Sequence, residues 1–180
     1  MIEGAKELVR LHGFGATSFK DVWEHTQTPR GSVYFHFPGG KEELGGEVVA
    51  SALEVLVAMV HAAGAETRTP ETLIKRLARK LADRLEVSGY SEGCPIAAVA
   101  VEMSASSPAL REAASHAFSK WADALAQELE SKGLSAAHAR RAARVVVAAL
   151  EGALIVSKAQ ADRTPLDQAG AMLASAAVRG

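Results

Sequence analysis

Residues 17–41, TSFKDVWEHTQTPRGSVYFHFPGGK, decide the fold of this chain. Ser18 is a suitable N-cap for a helix, because its hydroxyl can accept a hydrogen bond from a backbone N–H of the first turn. After a short turn, Pro29 suits the start of a second helix, where its missing N–H is not needed. Pro38 and the two glycines after it end that helix. Two short helices joined by a tight turn have the dimensions of a helix-turn-helix, whose second helix enters the major groove of DNA.

The side chains of the second helix suit a nucleic-acid surface. No Asp or Glu occurs between His25 and Lys41, so a phosphate backbone would meet no carboxylate from this segment. Its arginine, serine, threonine and tyrosine side chains are donors for phosphates and base edges. The basic character is local, because residues 1–50 contain five Lys or Arg against seven Asp or Glu. The DNA-binding prediction therefore rests on the helix-turn-helix motif, because the net charge of residues 1–50 does not support it.

The composition is that of a globular protein. Of 180 residues, 48% are hydrophobic and 23% are charged, with a net charge of -1, which suits one compact unit or two small subdomains. Cys94 is the single cysteine, so an internal disulfide is excluded. Glu3 and Arg10 lie where an export signal needs an apolar centre, and charges interrupt the apolar runs that could cross a bilayer. We therefore predict a cytoplasmic protein with no membrane partner; the near-neutral charge disfavours the alternative of a membrane-surface protein.

Helical periodicity extends over almost the whole chain. Apolar residues at three- and four-residue spacing predict a first helix over residues 2–12 and a long helix from Lys41 to about Gly64. A strict four-residue repeat of leucine, at Leu73, Leu77, Leu81 and Leu85, predicts a helix with one buried face. Further helices begin at Pro95, at Pro108, after Ser135 and within RTPLDQAG. The predicted fold class is all-α with about nine helices.

Catalytic and metal sites have no support in the sequence. FPGGKEE lacks the spacing and the hydroxyl of a phosphate-binding loop. His61, His116 and His138 lack metal-ligand spacing with Cys94, and no Ser-His-Asp or Cys-His arrangement is visible. We therefore predict no enzyme activity, no metal and no cofactor. Cys94 is interpreted as a small residue at a helix start, with redox sensing as the alternative.

A second basic segment competes with the helix-turn-helix as a nucleic-acid surface. Residues 131–150 contain no acid and carry four cations, Lys132, Arg140, Arg141 and Arg144. The opposite face of this helix is apolar, AARVVVAAL, so a solvated face is the favoured interpretation and nucleic-acid contact is the alternative.

GFGATSFKDVWEHTQTPRGSVYFHFPGGKEELGGEVV resembles the N-terminal domain of the tetracycline-repressor (TetR) family of bacterial transcription regulators. The resemblance covers about residues 2–50. Its signals are a glycine with an aromatic after the first helix, ATS, Arg-Gly-Ser at the start of the third helix, and Tyr-x-His-Phe followed by a lysine. GCPIAAVAVE and the proline-started helix after it are similar to the LmrA/YxaF-like subgroup. The chain departs from the family at Trp23, Gln27 and Phe35, where a small residue, a glycine and a polar or aromatic residue are more usual.

The resemblance implies a three-helix DNA-binding domain, residues 1–45, joined by a long helix to a ligand-binding and dimerisation domain, residues 46–180. It also implies roles for individual residues. Phe37 would pack inward. The residues implied in DNA contact, by side chain or by close backbone approach, are Thr17, Ser18, Thr28, Arg30, Gly31, Ser32, Tyr34, His36 and Lys41.

The resemblance places an effector pocket among the later helices. Candidates for its lining are Met103, Phe118 and Trp121, which would suit an apolar or aromatic molecule. Small residues in the last two helices allow close approach of helix axes, which predicts an intersubunit four-helix bundle through Val146, Leu150, Leu154 and Met172. The alternative is that these residues form an intrasubunit core.

These observations predict a homodimeric repressor that is released from a palindromic DNA operator by a small-molecule effector. A twofold dimer would place two recognition helices about 34 Å apart, one turn of B-DNA. The alternative is a helical small-molecule binding protein that does not bind DNA.

Overall fold

The computed structural model describes residues 1–177 and contains nine α-helices and no strand in that range. The all-α prediction is confirmed. The sequence also predicts that the last helix extends to Val178, which lies outside the described residues. The helices are α1 (Ile2–His12), α2 (Phe19–Thr26), α3 (Arg30–His36), α4 (Gly40–Ala65), α5 (Pro70–Val87), α6 (Pro95–Met103), α7 (Pro108–Ser131), α8 (Ala136–Gln160) and α9 (Thr164–Ala177).

Local sequence explains where several helices begin. Ser18 caps α2, Ser135 is the N-cap residue of α8, and Thr69 forms a capping box with Thr72 before Pro70 at the first turn of α5. The four leucines of the α5 repeat are all buried, as their spacing predicted.

By internal contacts the chain divides into two compact units. The first contains residues 1–54 and 93–118, and the second contains residues 55–92 and, of the described chain, 119–177. The boundary predicted after residue 45 rests on family resemblance and stays a prediction.

In the first unit, α1 packs on α2 and α6, and α2 packs on α3. Phe14 and Leu110 are fully buried there. A Cβ atom at Gly45 of α4 would lie 2.8 Å from the Phe14 ring and 2.9 Å from Leu110. The absence of a side chain at Gly45 therefore lets α4 pass directly against these two core side chains.

In the second unit, α9 packs on α5 and α8. The closest approach is at Gly170, where an added Cβ would lie 2.4 Å from the Cβ of Ala78. Arg163, before α9, donates to Asp83 and Glu86 of α5 and to Asp167 of α9, at 2.7–2.9 Å. These hydrogen bonds raise the pKa of Arg163, the one to Asp167 contributing most.

Within residues 1–177, α4 is the one helix long and apolar enough to cross a membrane, with a mean hydropathy of 1.9 over an 18-residue window. Buried helices of soluble proteins meet the same criterion. Glu47 and Glu54 of α4 are exposed charges within this apolar stretch. The absence of a membrane partner stays a prediction.

Candidate DNA-binding surface

The start of α2 is fixed by a reciprocal capping box. The Ser18 hydroxyl accepts a hydrogen bond from the Asp21 N–H at 3.2 Å, and the Ser18 N–H donates to the Asp21 carboxylate at 2.7 Å. The Ser18 hydroxyl also donates to this carboxylate, and the two hydrogen bonds from Ser18 lower the pKa of Asp21. Ser18 is exposed. Its contact with a phosphate stays a prediction.

The capping box predicts a pH-dependent contribution to stability. Because the pKa of Asp21 is lower in the folded than in the unfolded chain, its contribution is present above about pH 3.9, the usual aspartate pKa, and is lost as the pH falls through the folded value. We expect Asp21→Asn to lower the Tm at pH 6, and the difference from wild type to shrink at more acidic pH. Thermal unfolding of both proteins between pH 2.5 and 7 measures this difference in Tm. In a Ser18→Ala background the same substitution should have a smaller effect, because the hydrogen bond from the hydroxyl is lost and only the one from the backbone N–H remains; an equal effect would contradict the contribution of the Ser18 hydroxyl.

The turn between α2 and α3 forms with a non-glycine residue in the left-handed region. Gln27 has φ 53° and ψ 31°, a conformation that glycine adopts most easily. The Thr28 N–H donates to the Trp23 carbonyl at 3.0 Å, and the hydroxyls of Thr26 and Thr28 are 2.8 Å apart. Gln27 is therefore accommodated where the family more often has glycine. The Thr28 hydroxyl has an intramolecular partner, and its DNA contact stays a prediction.

One face of α3 is buried and the other is exposed. Val33 is fully buried and Phe37, which follows the helix, is 6% exposed. Phe37 thus packs inward, as the resemblance implied. The exposed residues of α3 are Arg30, Gly31, Tyr34, Phe35 and His36. We name these five residues the α3 outer face. Ser32 is half-buried at the edge of this face.

Aromatic rings hold Arg30 and Tyr34 side by side. The Tyr34 ring is half exposed and lies edge-on to Phe19, with 5.3 Å between centroids. The Arg30 guanidinium carbon is 5.5 Å from the Trp23 centroid and 5.9 Å from that of Tyr34. Stacking on an aromatic face reduces the rotamer freedom of an arginine. The guanidinium is therefore positioned before any DNA arrives. Trp23, a departure from the family pattern, provides part of this support.

Thr17, one residue before the N-cap of α2, is buried. It is 2% exposed, and its hydroxyl donates to the Gly13 carbonyl at 2.8 Å. The hydroxyl therefore faces the turn after α1, and the phosphate contact of Thr17 stays a prediction.

Lys41, near the start of α4, is half-buried against the same turn. Its Nζ donates to the Gly15 carbonyl at 2.8 Å and lies 4.8 Å from the Phe14 ring centroid. Burial lowers the pKa of Lys41, and the nearby charges of Glu102 and Asp21 oppose that shift. Its phosphate contact stays a prediction.

Glu102 of α6 holds the turn after α1 and was missed by the sequence analysis. Its carboxylate accepts hydrogen bonds from the N–H groups of Phe14, at 3.3 Å, and Gly15. A Cβ at Gly13, where φ is +87°, would lie 2.6 Å from this carboxylate. Because Glu102 and Gly15 are 87 residues apart, no local pattern could have indicated the contact. The turn that precedes α2 is therefore fixed from α6 as well as from Lys41.

We expect Glu102→Ala to lower the unfolding free energy by about 1–2 kcal/mol, because two backbone N–H groups lose a charged acceptor. Urea denaturation measures the change. Glu102→Gln keeps one acceptor oxygen and should recover part of the loss. Glu112→Ala, at an exposed glutamate of α7, is the matched control. Equal values for the two alanine variants would show that the carboxylate does not stabilise the turn.

The effector-pocket candidates lie on α6 and α7. Met103 is the last residue of α6, and Phe118 and Trp121 are three residues apart on α7, a spacing that places them on neighbouring turns of one face. Trp121 is 3% exposed. An open cleft of about 290 Å³ elsewhere is lined by other residues: Met1, Ile2, His36, Phe37, Glu43 and Glu47. The effector site stays a prediction.

Two of the four predicted dimer residues are internal. Val146 and Leu150 are each 1% exposed within this single chain, which agrees with the alternative that they form intrasubunit core. The apolar pattern of α8 did not show which apolar residues face inward, and the dimer contact of these residues stays a prediction. Leu154 is half-buried and Met172 is 72% exposed. The exposed large apolar side chains of α8 and α9 are Val145, Ile155, Val156 and Met172.

Two other expectations concern α8 and metal sites. Arg140, Arg141 and Arg144 are exposed on α8, which agrees with a solvated face and equally leaves them available to a partner.

Among the described residues, no group of three or more His, Cys, Asp or Glu could hold a metal ion.

Comparison with known proteins identifies the family. Residues 1–48 match the model described as "Bacterial regulatory proteins, tetR family", and residues 70–172 match "Transcriptional regulator LmrA/YxaF-like, C-terminal domain". The chain belongs to the TetR family of transcriptional regulators. The predicted resemblance is confirmed, including the LmrA/YxaF-like subgroup. Membership makes the chain a DNA-binding, helix-turn-helix regulator, and the α3 outer face lies on the second helix of that motif.

Relatives in two bacteria cover almost the whole chain. The sequence is 34% identical to the uncharacterized HTH-type transcriptional regulator Rv0196 of Mycobacterium tuberculosis (strain ATCC 25618 / H37Rv), over 93% of this chain and 87% of the relative. It is 31% identical to the HTH-type transcriptional regulator LmrA of Bacillus subtilis (strain 168), over 92% and 88%.

Solved structures share the fold at low sequence identity. A TetR transcriptional regulator from Legionella pneumophila superposes with a TM-score of 0.82 at 20% identity, covering 97% of this chain and 94% of that one. The regulatory protein TetR from Rhodobacter sphaeroides gives a TM-score of 0.85 at 18% identity, covering 97% and 95%.

Proposed function

We propose that this TetR-family chain is a cytoplasmic transcriptional repressor that binds a palindromic operator as a homodimer and leaves it when a small apolar or aromatic effector binds. The observation that carries the DNA-binding part is the α3 outer face, where Arg30 and Tyr34 are held together on aromatic rings in an acid-free segment. Repression is supported by a relative named "HTH-type transcriptional repressor DhaR", from Mycobacterium sp. (strain GP1), at 25% identity.

The DNA contacts would divide into two kinds. Arg30 is the candidate for a base-edge contact, because a guanidinium can donate two hydrogen bonds to guanine O6 and N7. Ser18, Thr28, Ser32, His36 and Lys41 are candidates for the phosphates that position α3. Gly31, beside Arg30, faces open space, because a Cβ there would meet nothing within 4 Å. Since glycine has no side chain, the helix backbone could approach the groove closely at this position.

A homodimer is supported by the exposed apolar side chains of α8 and α9. Ile155 and Met172 are 55% and 72% exposed, and burying them against a second copy would remove apolar area from water. Leu154, half-buried next to Ile155, would contribute at the edge of that contact. With twofold symmetry, the two α3 helices would contact half-sites about 34 Å apart.

Release by an effector follows from population shift. An effector lowers DNA affinity only if it binds the DNA-incompetent conformation better than the DNA-bound one. In the proposed mechanism that conformation has α4 displaced, so that the two recognition helices no longer match successive grooves. Met103, Phe118 and Trp121 are the proposed lining of the effector site, and their apolar character favours an apolar or aromatic ligand.

The deciding experiment is a mobility-shift assay with the DNA upstream of the chain's own gene, followed by selection from a random DNA pool. We expect a specific shift that unlabelled upstream DNA competes away and unrelated DNA does not, and a selected inverted repeat with half-site centres one helical turn apart. Failure of both assays would leave the alternative, a helical small-molecule binding protein without DNA binding.

A further inference from the structure

Phe35 is the most exposed aromatic side chain of the helix-turn-helix. It is 81% exposed, whereas Val33 and Phe37, two residues before and after it, are buried. At 100° per residue, Phe35 lies on the side of α3 opposite to the midpoint between these two buried residues. It therefore contributes nothing to the core of the chain and points directly away from it.

The residues around Phe35 keep that side of α3 unobstructed. Gly31 lies one turn earlier on the same side, and a Cβ there would meet nothing within 4 Å. The next residue after Phe35 is His36, whose ring lies edge-on to the Phe35 ring with 5.6 Å between the centroids. The phenyl ring thus projects beyond a glycine gap, with a polar ring beside it. This side of α3 faces away from the core and is therefore open to the base edges of a major groove.

The chemistry of the ring restricts what it can recognise there. A phenyl group offers no hydrogen-bond donor or acceptor for the polar base edges, and the apolar group that the four bases display in the major groove is the C5-methyl of thymine. We propose that Phe35 is a specificity-determining residue that packs on a thymine methyl group in each half-site. This inference rests on the proposed operator binding and assigns one base contact within it.

The test removes single methyl groups from DNA. The operator selected by wild-type protein is synthesised with each thymine replaced in turn by deoxyuridine, which pairs identically and lacks only the methyl. For one thymine in each half-site we expect about fourfold weaker binding, the fold-change that corresponds to one buried methyl-sized group. For the Phe35→Ala protein, replacing that thymine by deoxyuridine should not change the affinity. For the Phe35→Leu protein, the same replacement should weaken binding by less than it does for wild type. Val87→Ala, at an 89% exposed valine of α5, should behave as wild type.

The outcomes separate this inference from the proposed function. If the wild-type protein selects a specific operator but no deoxyuridine effect depends on Phe35, the thymine contact is overturned and operator binding stands. If Phe35→Ala binds the selected operator as tightly as wild type, the contact is likewise overturned. If no operator is selected at all, the proposed function fails and this inference fails with it.

Discussion

Arg30→Ala combined with Tyr34→Ala is expected to weaken operator binding by about 100-fold, which corresponds to the loss of one base-edge contact and one further contact of about 1.4 kcal/mol each. Both side chains lie on the α3 outer face, and each supports the position of the other, because the guanidinium carbon lies 5.9 Å from the Tyr34 ring centroid. Removing both therefore removes the contacts and the preorganised arrangement together. Titration of labelled operator at fixed salt measures the loss.

Two controls make the result interpretable. Tyr34→Phe keeps the ring that packs on Phe19 and removes only the hydroxyl, so it separates packing from hydrogen bonding. Arg140→Ala with Arg144→Ala removes two exposed arginines of α8, the competing basic segment. If the α8 variant loses operator binding and the α3 variant keeps it, the DNA-binding surface has been assigned to the wrong helix.

Gly170→Ala is expected to lower the unfolding free energy by about 2 kcal/mol, although alanine favours helix over glycine. The added methyl would lie 2.4 Å from the Cβ of Ala78, so α5 and α9 must separate to admit it. Because close-packed helices resist such separation, the overpacking cost exceeds the gain in helix propensity. Urea denaturation followed by circular dichroism measures the loss.

The same substitution at an open site is the matched control. Gly46 lies inside α4, and a Cβ there would meet nothing within 4 Å. Gly46→Ala should therefore stabilise the chain by roughly 0.5–1 kcal/mol. Adding Ala78→Gly to Gly170→Ala removes the colliding methyl and should recover most of the lost stability. No recovery in the double variant would mean that the contact with Ala78 is not the cause.

The helices were predictable because their signals are local. The leucine repeat of α5, the N-cap residues Ser18 and Ser135 and the proline starts of α6 and α7 all act within one or two turns of the chain. The inward position of Phe37 and the outward position of Tyr34 came from family resemblance, and the structure agrees with both. These features needed no knowledge of which helices pack together.

The features that could not be predicted concern contacts that local sequence does not encode. Thr17 precedes the N-cap of α2, so helical periodicity said nothing about its direction, and a hydrogen bond to Gly13 turns it inward. Val146 and Leu150 belong to a largely apolar stretch of α8. Its sequence pattern did not show which side of the helix is buried within the chain. Glu102 contacts the turn after α1 from a distant helix. In each case, tertiary packing decided what the sequence pattern left open.

Trp23 gives the DNA-binding surface an optical property. The chain has two tryptophans: Trp121 is 3% exposed, whereas the Trp23 ring lies 5.5 Å from the Arg30 guanidinium carbon and 6.4 Å from the Tyr34 centroid. Indole emission depends on nearby charge and on solvent. A Trp121→Phe background would therefore leave a single tryptophan directly behind the arginine proposed to contact DNA, so operator capture could be followed in real time through its emission without an attached dye.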